Sequence, residues 1–190
     1  MPILHLPVQS GSSKILKDMN RGHSIHEYFL IIDKLQKANP NIKFSSDFII
    51  GYPGETDDDF KESITLLKKV NFINSYSYIF SPRPGTPASV NKKVDDTIAK
   101  ERLMMFQKEA NTLKTNYREN LINTSVNVLF ENKVKVKNKY FGRDEYFNSV
   151  IVHSDKDLSG KIKNVKIKSC NQNTLFGEII RDNDYKERAA

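Results

Sequence analysis

The sequence predicts a fold in two parts, an α/β part with parallel strands followed by a small all-β barrel. Up to about Tyr117, short apolar runs alternate with segments of helical periodicity. Beyond it, β-branched residues are interleaved with lysine and separated by turn residues. Of the formal net charge of +7, the first 117 residues carry +3 and the shorter remainder +4. We therefore expect two domains, the second the more basic by density.

The first part repeats a strand, loop and helix unit three times. Ser24 and Glu27 have the spacing of a capping box, and Asp57 to Asp59 place negative charge in the first turn of the next helix. Successive units of this kind predict parallel strands with ligands at their carboxyl ends. The expected strands are 3–8, 48–50 and 75–80, and the expected helices are a short one ending near residue 19, then 25–38, 57–70 and 96–121.

The second part reads as five short strands, which is typical of a small β-barrel. The strands are expected at 125–130, 133–139, 149–153, 164–169 and 174–180, with Asn138 and Gly142 among the turn residues between them. Every odd position from Lys133 to Lys139 is lysine, and Lys166 and Lys168 repeat the alternation. Period-2 geometry would place each set on one sheet face. Such a stripe is either a solvated outer face or a surface for a polyanion.

Three polar residues of the first part are candidates for ligand binding. Gln9 follows a strand, where it is either a ligand contact or a satisfied turn residue. Asp47 precedes the apolar run 48–50, and a carboxylate there needs a partner, either two ribose hydroxyls or a neighbouring arginine. Arg21 can bind a carboxylate through two hydrogen bonds or lie at the surface. The turn 51–55 lacks the glycine patterns of dinucleotide and phosphate loops.

Other functional classes find no support in the sequence. The lone Cys170 can form no internal disulfide and cannot supply the thiolates of a zinc or iron-sulfur site. The four histidines have no metal-ligand spacing, and no Ser/His/Asp arrangement can be argued. Neither a signal peptide nor an apolar run of membrane-spanning length is present. We expect a cytoplasmic chain with no membrane partner.

Four sequence motifs resemble the radical SAM methylthiotransferases. They occur in order, with matching loop lengths, at His5–Ser12, Met19–His23, Ser45–Thr56 and Ser81–Ala88. The string Ser75–Ala88 most resembles the branch that makes 2-methylthio-N6-dimethylallyladenosine in tRNA. The resemblance implies that residues 1–117 are the C-terminal half of a TIM-like radical SAM barrel. It implies that residues 118–182 are an OB-like TRAM domain that binds RNA, and residues 183–190 are expected to be a frayed tail.

The chain departs from this family in its cysteines. Family members carry two sets of three cysteines for two 4Fe-4S clusters, and this chain has neither set. We therefore expect a fragment that lacks the N-terminal half of the enzyme and is inactive alone. An isolated half barrel also leaves strand edges unpaired, which favours aggregation.

The resemblance implies a mechanism and assigns residues to it. S-adenosylmethionine is cleaved to a 5′-deoxyadenosyl radical, which abstracts hydrogen from C2 of the modified adenine next to the anticodon, where a methylthio group is inserted. Arg83, between two prolines, is expected to face the substrate or the cofactor. The cofactor residues implied are Gln9, Ser10, Arg21, Asp47, Ile49, Ile50 and Gly51, with Gln9 and Asp47 at the ribose, Arg21 at the methionine carboxylate, and Ile49 or Ile50 with Gly51 at the adenine. The residues expected to bind tRNA are Lys133, Lys135, Lys137, Lys139, Arg143, Lys166 and Lys168.

Two other interpretations remain open at this stage. The chain is a stand-alone RNA-binding module with a vestigial half barrel, or it keeps the chemistry but acts on threonylcarbamoyladenosine in tRNA or on a ribosomal protein. Cysteine triplets encoded upstream of Met1 would favour an enzyme over a binding module.

Overall fold

The computed structural model describes residues 2–135 and 138–180. These divide into two units, Pro2–Lys114 and a second from Thr115 onward, and the boundary falls within the last helix. The helices are α1 (Ser13–Asp18), α2 (Ile25–Ala38), α3 (Asp57–Val70) and α4 (Asp96–Glu119). The strands are β1 (Ile3–His5), β2 (Lys43–Ile50), β3 (Asn74–Ile79), β4 (Ser125–Lys133), β5 (Lys139–Asp144), β6 (Ser149–His153), β7 (Ile162–Cys170) and β8 (Thr174–Ile179).

The first unit contains a three-stranded sheet in the order β1-β2-β3, and both pairings are parallel. The parallel arrangement predicted from the sequence is thus confirmed. The strand predicted at 48–50 is longer than expected, because Lys43 to Ile50 all pair with neighbours or lie between paired residues. Since all three strands run the same way, the loops that follow them converge at one edge of the sheet.

Helices cover one face of this sheet. Phe48 and Ile50 point from β2 into a core that includes Phe72, Leu67 and Phe106, all of which are buried. The Phe48 ring lies 4.6 Å from that of Phe106 between centroids. Alternation along β2 therefore sends the intervening side chains to the opposite, open face.

Helices α2 and α3 each begin at a capping box, and the one at Ser24 was predicted from the sequence. Ser24 accepts a hydrogen bond from the Glu27 amide, and Glu27 accepts one from the Ser24 amide. Thr56 and Asp59 form the same reciprocal pair at α3. Each pair satisfies backbone donors that the first helical turn leaves free, which fixes where the helix starts.

The second unit is a closed barrel in the order β4-β5-β6-β8-β7. β4 pairs with both β5 and β7, so the sheet closes on itself. The β6-β8 pairing is parallel and the other pairings are antiparallel. The interior is apolar; its fully buried members include Val128, Phe130, Val150, Ile167 and Leu175.

The prediction of one strand over residues 133–139 is wrong. Lys133 is the last residue of β4 and Lys139 the first of β5, and the Val134 amide donates to the Lys139 carbonyl at 2.9 Å. The chain turns back between them, with Asn138 at φ 58°. Asparagine tolerates this left-handed conformation and so favours a turn. The segment in which lysine and valine alternate therefore belongs to a hairpin and not to a single strand.

Gly142 was expected in a turn, but it lies in the middle of β5. A Cβ at this position would stand 2.4 Å from the Leu129 carbonyl oxygen and 2.7 Å from Cγ1 of Val128. The glycine therefore permits close approach of two strands, a role that a strand glycine often has. Within the described residues, no helix is long and apolar enough to cross a membrane.

Candidate functional site

A cleft of about 880 Å³ opens where the loops after the three parallel strands converge. It is lined by Gln9 after β1, by Asp47 and Ile49 on β2, and by Arg83 in the loop after β3. Arg21, in the segment after α1, completes this group. The structure thus brings together five of the eight side chains that the sequence nominated for cofactor or substrate.

Strand alternation explains which side chains of β2 reach the cleft. Asp47 and Ile49 are half-buried on the open face, whereas Phe48 and Ile50 are buried against the helices. Asp47 is level with Tyr76 of β3 in the strand register, and Ile49 with Tyr78. A carboxylate and an aliphatic side chain therefore stand two residues apart on the same surface.

Gln9 is held in an unusual backbone conformation beside Asp47. Its φ is 77°, a left-handed value that costs a non-glycine residue about 1 kcal/mol or more. The backbone amide of Gln9 donates to the backbone carbonyl of Asp47 at 3.0 Å, and the backbone carbonyl of Gln9 accepts from the Ile49 amide at 2.8 Å. These two hydrogen bonds hold the backbone in this conformation, so β2 fixes the position of Gln9 at the cleft.

The cleft carries charges of both signs. Arg21 and Arg83 are exposed, and neither forms an ion pair within the part of the chain that the structure describes. The Arg83 carbonyl accepts hydrogen bonds from the amide and the hydroxyl of Thr86, which shapes the loop that presents it. Asp18 and Asp47 supply the acidic groups of the lining.

The cleft lining does not include Ser10, Ile50 or Gly51, although the sequence nominated them. The Ser10 hydroxyl is buried and accepts from the Ser12 amide at 3.1 Å. Ile50 points into the helix-covered core. The Gly51 amide donates to the Glu55 carboxylate at 2.9 Å, so it serves the loop itself. Between the two isoleucines left open by the sequence, only Ile49 lies on the cleft face.

Aromatic side chains form a wall of the cleft that the sequence reasoning missed. Tyr52, Tyr78 and Phe80 all belong to the lining. The Tyr52 and Phe80 rings meet edge to face with 5.0 Å between centroids, and the Tyr52 hydroxyl donates to the Asp18 carbonyl at 2.9 Å. The alternation of Tyr76 and Tyr78 in the third predicted strand was the available signal for Tyr78.

A buried ion pair holds the loop after β2. Arg102 of α4 donates to the Glu55 carboxylate at 2.9 Å and to the Glu55 carbonyl at 3.1 Å, and it reaches Asp57 at 2.6 Å. The Glu55 side chain is fully buried, and burial raises its pKa against hydrogen bonds from Gly51 and Arg102. Breaking a buried ion pair would leave an unpaired charge in the interior, so this contact fixes the loop firmly. No sequence motif pointed to Arg102.

The arrangement suits a ligand with several distinct groups. A carboxylate and a primary amide can hold a pair of hydroxyls, guanidinium groups can hold a carboxylate, and aliphatic and aromatic walls can hold a flat ring. Iron-sulfur clusters do not fit this chain: it has one cysteine, and the described residues bring no three His, Cys, Asp or Glu side chains together at a metal-binding distance.

The lysines nominated for RNA lie in two groups on the barrel. Lys133, Lys135 and Lys139 are exposed at the β4-β5 hairpin, and Lys137 lies outside the described residues. Lys166 pairs in register with Ser125, at the other end of β4. Since β4 has nine residues, the two groups are separated by about 26 Å along the strand.

Two of the nominated basic residues form ion pairs. The Arg143 guanidinium lies 3.0 Å from the Glu131 carboxylate, and the Lys168 ammonium lies 3.1 Å from that of Glu178. Val165 and Ile167 are buried, and Lys166 and Lys168 are more exposed. The alternation predicted for 164–169 is therefore present. Exposed pairs of this kind are weak, so a phosphate can compete for them.

Comparison with known proteins identifies relatives along nearly the whole chain. Residues 1–67 match the Radical SAM superfamily. Over 186 residues, 98% of this chain, the sequence is 51% identical to the tRNA-2-methylthio-N(6)-dimethylallyladenosine synthase of Pelagibacter ubique, and over 183 residues it is 47% identical to that of Rickettsia bellii. It covers 42% and 41% of these proteins, so the chain spans about two-fifths of the length of the curated relatives it matches.

Proposed function

Because this chain belongs by sequence to the radical SAM methylthiotransferases, we propose that it forms the part of such an enzyme that holds the organic portion of S-adenosylmethionine and contacts tRNA. The observation that carries the proposal is the convergence of Gln9, Arg21 and Asp47 on one cleft at the carboxyl ends of parallel strands. When bound in the complete enzyme, the cofactor supplies radical chemistry for methylthiolation at C2 of an adenine.

Each cleft residue has a role that its chemistry suits. Asp47 and Gln9 bind the two ribose hydroxyls, and Arg21 binds the methionine carboxylate through paired hydrogen bonds. Ile49, with Tyr52 beside it, covers the adenine face and excludes water. Arg83 faces the substrate from the loop after β3. Ser10, Ile50 and Gly51 are left out of this assignment because they do not line the cleft.

The domain assignment follows the same family pattern. Residues 1–117 are proposed to be half of a TIM-like barrel, which is supported by parallel strands with helices on only one face. Residues 118–182 are proposed to be a TRAM domain that binds tRNA through its lysines. The missing N-terminal half would supply the cysteines for the 4Fe-4S clusters, so this chain alone is inactive. We place the enzyme in the cytoplasm, where tRNA is modified.

Calorimetry with S-adenosylhomocysteine tests the cofactor site directly on this chain. Asp47→Asn and Arg21→Gln each remove a charged hydrogen-bonding group, and each is expected to weaken binding about tenfold. Asp33→Asn, an exposed carboxylate on α2, is the matched control and should leave affinity unchanged. Equal affinity of all variants would overturn the site.

A second measurement tests the tRNA surface. Binding of an anticodon stem-loop should weaken with salt, and reversing the charge of Lys133 and Lys139 should lower the slope of log affinity against log salt. Lys34 and Lys37 of α2 are the matched control pair because they are equally exposed. A slope that these barrel substitutions leave unchanged would contradict the assignment.

One alternative is equally compatible with the cysteine content of the chain. The single cysteine agrees with a stand-alone RNA-binding module as well as with an enzyme part. Analysis of tRNA nucleosides from a strain lacking the gene separates the two, because only the enzyme's loss removes the methylthio group. The same analysis separates an isopentenyladenosine substrate, which the names of the relatives favour, from threonylcarbamoyladenosine or a ribosomal protein.

A further inference from the structure

His5 contacts the carboxylate that the proposed cofactor site depends on. It ends β1, an edge strand, and is level with Ser45 of β2 in the parallel register. Its side chain therefore lies on the open face of the sheet, the face of Asp47. Nδ1 of His5 is 2.9 Å from the Ser45 hydroxyl, and Nε2 is 3.4 Å from Oδ2 of Asp47. The sequence offered no role for this histidine.

The two contacts select one tautomer of the ring. A neutral imidazole has one donor nitrogen and one acceptor nitrogen. A carboxylate accepts, so a neutral imidazole in this geometry carries its proton on Nε2, and Nδ1 then accepts from the Ser45 hydroxyl. Ser45 is only 6% exposed, which limits competition from water for its hydroxyl. The Tyr76 ring lies edge to face with the imidazole, with 6.1 Å between ring centroids.

His5 is also the partner that orders Asp47. Within the described residues, no other side chain forms a hydrogen bond to this carboxylate, whose side chain is 32% exposed. Without the imidazole the carboxylate would be free to rotate about its side-chain bonds. Ligand binding would then have to immobilise it, and fixing one side chain costs affinity by a factor of about 3 to 10.

We propose that His5 is a positioning residue that holds Asp47 ready to bind the ribose diol. The inference rests on the proposed cofactor site, since it assigns a task to Asp47 that belongs to that site. Ser45 and Tyr76 hold the imidazole, the imidazole holds the carboxylate, and the carboxylate meets the ligand. His5 itself does not touch the ligand in this scheme.

Titrations with adenosine and with 2′,3′-dideoxyadenosine, followed by NMR, separate this role from a structural one. His5→Phe keeps a ring beside Tyr76 but removes both hydrogen bonds, and should weaken adenosine binding about 3- to 10-fold. His5→Gln retains an N–H donor and should restore affinity to within about twofold of the parent. Neither variant should change the affinity for dideoxyadenosine, which has no diol. His26→Phe, at an exposed position of α2, is the matched control.

The outcomes distinguish the failure of this inference from failure of the cofactor site. Adenosine affinity that His5→Phe leaves unchanged, or equal losses for adenosine and its dideoxy analogue, would overturn the positioning role alone. If the parent chain binds neither nucleoside, the cofactor site is wrong. A ligand-free measurement remains decisive in that case: long-range ¹H–¹⁵N spectra should show His5 protonated at Nε2, and Asp47→Ala should shift the Nε2–H resonance because it removes the acceptor of that proton. Protonation at Nδ1 would contradict the proposal.

Discussion

The two units treat the free edges and faces of a β-sheet differently. In the barrel, β4 pairs on both sides, the sheet closes, and its interior is wholly apolar in the cluster around Phe130. In the first unit the sheet stays open, with edges at β1 and β3, and helices pack on the face that carries Phe48 and Ile50. The other face carries His5, Asp47 and the two half-exposed tyrosines of β3. The open sheet thus exposes groups that can bind a ligand, whereas the closed one buries its inner face.

One pair of adjacent residues tests how differently the two faces of the open sheet are packed. Ile50→Ala removes a fully buried side chain and should lower the free energy of unfolding of the first unit by about 4 kcal/mol. Ile49→Ala, on the cleft face, should cost less than about 1 kcal/mol. Urea denaturation measures both. Similar losses at the two positions would mean that the cleft face is as tightly packed as the core.

Closure of the barrel can be broken at Gly142. A Cβ there meets backbone atoms of β4, which cannot move aside as a flexible side chain can. Gly142→Ala should therefore lower the stability of the barrel by about 2 to 3 kcal/mol. Gly22→Ala, where nothing lies within 4 Å of the added carbon, serves as the control and should change stability by less than about 0.5 kcal/mol. Hydrogen exchange should locate the first loss in the barrel, and a barrel that exchanges as slowly as before would contradict this.

One buried carboxylate in each unit, Asp59 in the first and Asp144 in the second, can be compared, because their pKa values are shifted in opposite directions. Burial alone raises the pKa of Asp59, but hydrogen bonds from Lys14, Ser12 and Thr56 outweigh it and hold the pKa well below its usual range. Burial raises the pKa of Asp144, and hydrogen bonds from Asn148 and the Tyr146 amide only partly offset it. Asp59 has a cationic partner at 2.7 Å, whereas the hydrogen bonds to Asp144 come from neutral amides.

The opposite pKa shifts predict opposite pH dependence. The stabilisation from Asp59 is present above its unfolded pKa of about 3.9 and is lost as the pH falls through the lower folded value. The contribution of Asp144 is present below about 3.9 and is lost as the pH rises through its raised folded pKa.

Substitution of each carboxylate, with stability measured from pH 3 to 7, checks this dependence. Asp59→Asn should cost about 2 kcal/mol at pH 7, because it removes a charged acceptor of four hydrogen bonds. Asp144→Asn should cost less than about 1 kcal/mol, because the Asn148 amide can turn over and accept. Equal losses for the two variants at pH 7 would contradict the contrast.

Local signals predicted the elements, and contacts between distant residues decided the rest. The capping box of Ser24 and Glu27 and the acidic first turn at Asp57 to Asp59 depend on residues close in sequence, so the starts of α2 and α3 could be predicted. The hairpin after Lys133 could not, because lysine and valine alternate equally well in a strand and in the arms of a turn. Gly142 was misread for the same reason: its meaning depends on the β4 backbone, which is distant in sequence.

The cleft shows the same division. The motif residues Gln9, Arg21, Asp47 and Arg83 do line it, and strand alternation chose Ile49 over Ile50. Arg102 lies 47 residues from Glu55, and no pattern of spacing connects them. His5 went unassigned because its partners belong to the neighbouring strand, and only the register brings Ser45 level with it.

The backbone of Gln9 places selection for stability in conflict with selection for binding. Its φ of 77° is a conformation in which glycine is at ease and other residues are strained. Replacement by glycine would relax the turn and remove the Gln9 side-chain amide from the cleft. A laboratory search for heat-resistant variants would therefore be drawn to this position and would discard the side chain that we propose as a ligand contact. Screens on this chain should hold residue 9 fixed, because a gain in melting temperature there would come with loss of the side chain that we propose to bind the ligand.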